Sequence, residues 1–366
     1  MNKNIKNKII VFLFAILIFA FSLTAIVMEK DRYTKSERRA LAEFPEISGK
    51  SILSGEFSSD FEKYATDNFP LRDYFRSIKN FSELYLFGKE DTNGLYIKNG
   101  HISKLEYPEN EKMVENAVSK ITAVYETYLK DTAKNVYVSV IPDKGKFLSE
   151  DKLSLDYEGF EERFVNKIPF AKHIKISDLL TEEDYYKTDS HWKQENIIPI
   201  AEALLSGMGR KLTESFSEES VKKDFYGVYA GQSAFYGIKD EIVILKNEYT
   251  KNAVVTSYDT GKGVKKAVYT LEELESADPY EVYLSGADAL ITIENSLGKG
   301  KGHLVIFRDS FASSLAPLLV SEYEKITLVD TRHIAPSQIT NFVDFEGADV
   351  LFLYSSSIIN NSSLLK

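Results

Sequence analysis

Cysteine is absent from all 366 residues. That excludes a disulfide scaffold, a thiol nucleophile and every cysteine-ligated metal site, and it permits an oxidising exterior without mispairing. Histidine is scarce, at five, and Trp192 is the single tryptophan. Internal repeats and low-complexity tracts are also missing. Positive charge is short: removing Lys3, Lys6 and Lys8 from the 45 basic residues leaves 42 against 55 acidic ones, a net of −13. Such a chain does not suit nucleic acid, whose binding rests on positive charge. A neutral glycan remains compatible. No nucleotide-cradling loop is found, so no cofactor is expected.

What is present begins at the N-terminus, where those three lysines precede a 19-residue uncharged apolar run over 9–27. At about 1.5 Å per residue the run nearly crosses a hydrocarbon core of about 30 Å. It is longer than a secretory apolar region, and no small-x-small cleavage site follows it. The expectation is a cytoplasmic tail at 1–8, an uncleaved transmembrane signal anchor at 9–28, and a single-pass cell-membrane protein. The positive-inside rule then makes the C-terminal domain extracellular. Cleavage of the leader is the competing reading.

A charged stretch broken by Pro45 and Gly49 reads as a stalk over 29–54. Ser54 is the expected N-cap of a helix carrying Phe57, Phe61 and Tyr64, and Pro70 the expected first residue of another carrying Phe75, Ile78 and Phe81. Asn99-Gly100 between alternating apolar residues predicts a hairpin. These make a helical and hairpin part over 55–131. Beyond it, helical periodicity alternates with β-branched runs, which predicts an α/β domain over 132–366 with a parallel sheet. Strands are expected at 135–141, 173–176, 303–307, 325–330 and 349–354. Helices are expected near 157–166, 194–208 and 310–323, and a β-rich insertion near 225–283.

Two stretches carry the chemistry. Lys187-Thr-Asp-Ser-His-Trp192 offers Asp189 and His191 two residues apart, which an extended segment turns to one side. Asp189 can then hold the Nδ1–H of His191, leaving Nε2 as a base. Phe307-Arg-Asp-Ser-Phe311 puts Ser310 between a strand and a helix, at the sheet edge where α/β proteins bind ligands. There a hydroxyl is exposed, and first-turn amides face an oxyanion. The competing account makes Asp309 or Ser310 a helix N-cap, and His191 a satisfied structural histidine. Asp-x-His also suits two ligands of a metal site, but His101, His173, His303 and His333 stand in no ligand spacing, so no metal is expected.

Weaker candidates lie nearby. Lys144 and Arg332 follow strand ends on the edge where a substrate belongs, though an ion pair accounts for either. Gly286 brings a backbone N–H towards an oxyanion, or is a turn glycine. Trp192 walls the site or supports it by packing.

Thr188-Asp-Ser-His-Trp192 resembles the signature of the DHHW proteins, with Ser190 in place of the first histidine. Those proteins are related to the SGNH-hydrolase-like acetyltransferases of alginate O-acetylation. Asp67-Asn-Phe-Pro-Leu-Arg-Asp73, Gly94-Leu-Tyr-Ile-Lys-Asn-Gly100, Pro142-Asp-Lys144, Asp309-Ser-Phe311 and Asp330-Thr-Arg332 extend the resemblance in order. It implies an SGNH-hydrolase-like three-layer fold and a triad of Asp189, His191 and Ser310. It also implies acyl transfer on a cell-surface polysaccharide, as O-acetyltransferase or acetylesterase, with a membrane-bound O-acyltransferase partner supplying acetyl groups. One departure stands at Ser285-Gly-Ala-Asp288, where related proteins often carry Gly-Asn and use the asparagine as an oxyanion donor. Ala287 cannot donate, and losing one such donor commonly costs about a hundredfold or more in rate. A non-catalytic glycan-binding or assembly subunit is therefore the alternative.

Overall fold

The computed structural model describes residues 3–28, 31–149, 153–259, 261–286, 288–295, 297 and 300–366. They fall into two compact units, one of residues 1–93 with 230–236, the other of residues 94–229 with 237–366.

In the first unit, helix α1 spans Lys3–Val27, and its 23-residue stretch Ile5–Val27 is long and apolar enough to cross a membrane. At 1.5 Å per residue that stretch measures about 34 Å, against about 30 Å of hydrocarbon. Helices α2 (Glu56–Asp67) and α3 (Arg72–Phe81) follow. Their starts differ from the sequence expectation for backbone reasons. Ser54 ends a short helix, Gly49–Ser54, that Ser48 caps, and Gly55 at φ 80° turns the chain into α2. Leu71 takes a left-handed conformation, φ 58°, so α3 begins beyond Pro70 rather than on it.

The second unit opens with strands β1 (Leu95–Lys98) and β2 (His101–Lys104), joined by Asn99 and Gly100 at φ 50° and 77°. Positive φ at both central residues gives the turn whose twist suits a hairpin. Helix α4 (Glu111–Val124) starts where the Asn110 side chain accepts the Met113 amide, and it buries Val114, Ala117, Ile121 and Val124 at helical spacing. Next come β3 (Asn135–Ile141), α5 (Tyr157–Val165) and the short β4 (Lys172–His173). Pro199 falls in the first turn of α6 (Ile198–Gly207), where its missing N–H goes unused. Four strands follow: β5 (Ser217–Phe225), β6 (Asp240–Lys246), β7 (Val254–Ser257) and β8 (Val264–Lys266). The chain then forms β9 (Leu290–Glu294), β10 (His303–Arg308), α7 (Ala312–Leu319), β11 (Lys325–Val329) and β12 (Asp349–Ser355).

Eight strands make one sheet in the order β8-β7-β9-β11-β10-β12-β3-β4. From β11 to β4 every pairing is parallel, while β9, β7 and β8 add antiparallel at the other edge. The sheet is therefore mainly parallel. Part of the expected insertion, β7 and β8, extends this sheet; only β5 and β6 pair apart from it. Alternating residues of the buried strands serve two cores. Leu304 and Ile306 of β10 pack with α6 and α7, while Val305 and Phe307 pack with α4 and α5. Helix, sheet and helix make the three layers.

Candidate active site

Ser310 lies just past the carboxyl end of β10. The turn that carries it is made by Asp309, whose Oδ1 accepts the Phe311 amide at 3.1 Å and whose Oδ2 accepts the Ser355 amide at 2.7 Å. Neither Asp309 nor Ser310 is the N-cap of the helix Ala312–Leu319, which starts at Phe311 without a side-chain cap. The hydroxyl of Ser310 meets His191 instead, with Oγ 2.7 Å from Nε2.

His191 and Asp189 sit on a narrow loop closed by a bridge between Tyr185 and Trp192. His191 Nδ1 lies 2.6 Å from Asp189 Oδ1, and the Val228 amide donates to Oδ2 at 2.8 Å. Asp189 is fully buried and His191 nearly so. A carboxylate accepts and does not donate, so Nδ1 carries the proton and Nε2 accepts from the Ser310 hydroxyl. The chain thus brings Asp189, His191 and Ser310 into one hydrogen-bonded line.

Residues that sequence reasoning missed hold the line in place. Asp240 accepts the Lys187 and Thr188 amides at 2.8 and 2.7 Å and the Thr188 hydroxyl at 2.5 Å. Tyr280 stacks flat on the His191 ring, with centroids 3.9 Å apart and planes at 9°, and its hydroxyl lies 2.8 Å from Ser314 Oγ. Gly227 donates its amide to Thr188 Oγ1 at 2.9 Å, and a methyl group added there would overlap the Cβ, Cα and N of Asp189. Asp240, Tyr280 and Gly227 stand in no motif, so no local signal marks them. Gly227→Ala is expected to push Asp189 out of line and to lower the rate of any reaction that uses this line about a hundredfold, since a shift of about 1 Å costs that much. Steady-state kinetics on an acetate ester checks this, and an unchanged rate would show that the loop tolerates the shift.

The other expected residues have different jobs. Lys144 does not face a substrate. It has no exposed surface, and its Nζ donates to the carbonyls of Tyr186, Lys187 and Asp189 at 2.8, 3.2 and 2.8 Å. Burial lowers its pKa from 10.5 to about 8. Trp192 is likewise fully buried, donating Nε1–H to the Phe311 carbonyl at 3.1 Å and to Ser314 Oγ at 2.9 Å. It ties the His191 loop to the start of α7 and does not wall a binding surface. Gly286 is a turn glycine, φ 89°, whose amide returns to the Tyr283 carbonyl at 3.2 Å. It is not aimed at an oxyanion. Arg332 forms a two-pronged pair with Asp330, 2.9 Å from Nε and 2.6 Å from Nη2. Ala287 lies outside the described residues. Among the described residues, no three His, Asp or Glu side chains are grouped to hold a metal ion.

The three-layer fold with its mainly parallel sheet is shared with solved proteins. A DHHW family protein from Eubacterium siraeum matches with a TM-score of 0.62 at 20% identity, covering 75% of this chain and 94% of its own. Bacillus cereus PatB1, solved with a sulfonyl adduct, matches at 0.59 and 15% identity, covering 72% of this chain and 94% of its own. At such identities the likeness is one of fold, and the DHHW resemblance read at Thr188–Trp192 is met at that level. No family model and no curated protein matches the sequence.

Proposed function

We propose that the chain is a membrane-anchored serine acyl-transfer enzyme of the cell surface, moving acetyl groups on a polysaccharide. The observation that carries this is the unbroken line from Asp189 through His191 to Ser310, at 2.6 and 2.7 Å. Ser310 Oγ attacks the acyl carbonyl while His191 Nε2 takes its proton. The resulting imidazolium is stabilised by Asp189 and returns the proton to the departing oxygen, leaving acetyl-Ser310. A sugar hydroxyl or water, deprotonated by His191, then attacks that ester and releases Ser310. The sugar gives transferase chemistry; water gives esterase chemistry. Neither needs a cofactor. The acetyl donor reaches the exterior through a membrane-bound O-acyltransferase partner, and α1 keeps the chain beside it.

PatB1, solved with a sulfonyl adduct, supports a sulfonyl fluoride as a covalent probe for Ser310. One observation favours the second reading, a non-catalytic glycan-binding or assembly subunit. With the Gly286 amide engaged by Tyr283, the Ser310 amide is the remaining oxyanion donor of the two expected. Incubating the full-length chain with a chromogenic acetate ester or a sulfonyl fluoride, then mapping the modified peptides by mass spectrometry, separates the two. The acetyl group is expected on Ser310, with its turnover accelerated by an oligosaccharide acceptor if transfer is the reaction. Acetyl or sulfonyl groups on other residues only, with no turnover, would leave the binding-subunit reading standing.

A further inference from the structure

Helix α3 is amphipathic in the reverse of the usual sense. A surface helix ordinarily turns its apolar stripe inward. Here the polar side is the inward one. Arg76 donates to the carbonyls of Gly231 and Gln232 and pairs with Glu37 at 3.1 Å. Ser77 donates to the Ala234 carbonyl at 2.5 Å, and Asn80 to the Ser233 carbonyl. The opposite side presents Tyr74, Ile78 and Phe81, at the i, i+4, i+7 spacing of one face, and Tyr85 continues it through the wide turn at Ser82–Leu86. These four are 71, 62, 56 and 57% exposed.

Two contacts decide what covers that face. Phe21 of α1 stacks on Phe69 with centroids 5.3 Å apart and meets Phe75 edge-on at 5.7 Å. Phe21 stands six residues before Val27, where α1 ends, which is about 9 Å along the axis. The first turn of α3 is therefore level with the last turns of the apolar helix. Interfacial helices seat their apolar face at about that depth, roughly 5–10 Å into the headgroup and acyl boundary, and aromatic rings concentrate there.

We propose that the Tyr74–Ile78–Phe81–Tyr85 face of α3 lies in the outer leaflet of the membrane that α1 spans, as an interfacial helix. This rests on the reading of α1 as a membrane span. The contact with α1 favours lipid over a protein occupant, because a protein covering this face would also have to displace lipid from around Phe21. The chain is then held at the surface twice, once by a span and once by a helix lying flat beside it.

The absence of cysteine makes the test clean, since one introduced thiol is unique. Full-length chains carrying Ile78→Cys or Tyr85→Cys are spin-labelled and reconstituted in phosphatidylcholine–phosphatidylglycerol vesicles. Phe14→Cys in α1 and Glu275→Cys, whose side chain is 87% exposed, serve as references. Relaxation by oxygen, which concentrates in lipid, is compared with relaxation by a water-soluble nickel chelate. Labels at 78 and 85 are expected to follow the Phe14 label, several-fold more sensitive to oxygen than the Glu275 label. Nickel sensitivity equal to that at Glu275 overturns the proposal. So does immobilisation of both labels with access to neither reagent, which points to a protein partner or a second copy. A Phe14 label found in water overturns the span reading and the proposal with it, whereas a Phe14 label in lipid with labels 78 and 85 in water overturns the proposal alone.

Discussion

Ser310→Ala is expected to abolish covalent labelling by a sulfonyl fluoride and turnover of acetate esters while leaving the thermal midpoint close to that of the parent chain. The turn at Ser310 is held by Asp309 through the Phe311 and Ser355 amides, so the variant loses only the bond from Oγ to His191. Such a bond contributes about 1 kcal/mol. His191→Ala should match Ser310→Ala in activity but cost more stability, because it also removes the ring that packs flat on Tyr280. Asp189→Asn is the more telling variant. Both carboxylate oxygens accept here, one from His191 Nδ1 and one from the Val228 amide. An amide side chain can satisfy only one of them and sets an N–H against the other donor. It therefore favours the wrong imidazole tautomer, and rates should fall about ten-thousandfold with the fold intact. Because the three groups act as a unit, the double variant Ser310→Ala/Asp189→Asn should be no worse than Ser310→Ala. Steady-state kinetics and thermal melts read every arm. Labelling that survives in Ser310→Ala, or a ten-thousandfold loss confined to His191→Ala, would require another nucleophile.

The parts of this site that sequence reading reaches are the ones written locally. Asp189 and His191 are two residues apart, and Ser310 sits at a strand-to-helix junction, so pattern alone suggests what each can do. The parallel half of the sheet is legible for the same reason, as apolar runs between helical periods. Support arrives from far along the chain and leaves no such trace. Asp240 reaches the loop from β6, and Tyr280 covers His191 from a single 3₁₀ turn, Pro279–Val282. Strand β5 escapes notice because its residues are almost all polar and exposed, with no alternating apolar face. Gly286 misleads because a glycine advertises backbone freedom but not the direction of its amide. Leu284, Ser285 and Gly286 all take positive φ, 57°, 58° and 89°, and that turn sends the amide back to Tyr283. Lys144 misleads differently: its position at a strand end is where a substrate ligand belongs, yet its side chain runs inward.

Lys144→Met is expected to lower kcat about a hundredfold with KM little changed, and to remove a pH dependence that the parent chain should show. Two effects on stability oppose each other. Burial lowers Lys144 from 10.5 to about 8, so holding it charged at neutral pH costs about 3 kcal/mol, which methionine relieves. Against that, three carbonyls lose their donor, at about 1–3 kcal/mol each. The net should lie between no change and a destabilisation of about 6 kcal/mol. The larger consequence is geometric, because the freed carbonyls belong to the loop that carries Asp189 and His191. Asp143, Asp189 and Asp240 favour the charged lysine and Lys193 opposes it. His101, pushed by burial to about 4, is neutral in this range. As pH rises past about 8, the amine keeps two N–H donors for three carbonyls, so activity should fall along an alkaline limb near that value. Stability should move the other way. Between about 8 and 10.5 the unfolded chain still holds the lysine proton that the folded chain has released, so the unfolded state binds more protons and stability rises with pH. An activity that falls while the melting temperature rises marks a local loosening and not unfolding. Rate profiles and melts of the parent and Lys144→Met chains between pH 6 and 10 read both quantities. An alkaline limb that persists unchanged in the methionine variant would assign it to another group and leave Lys144 a packing residue.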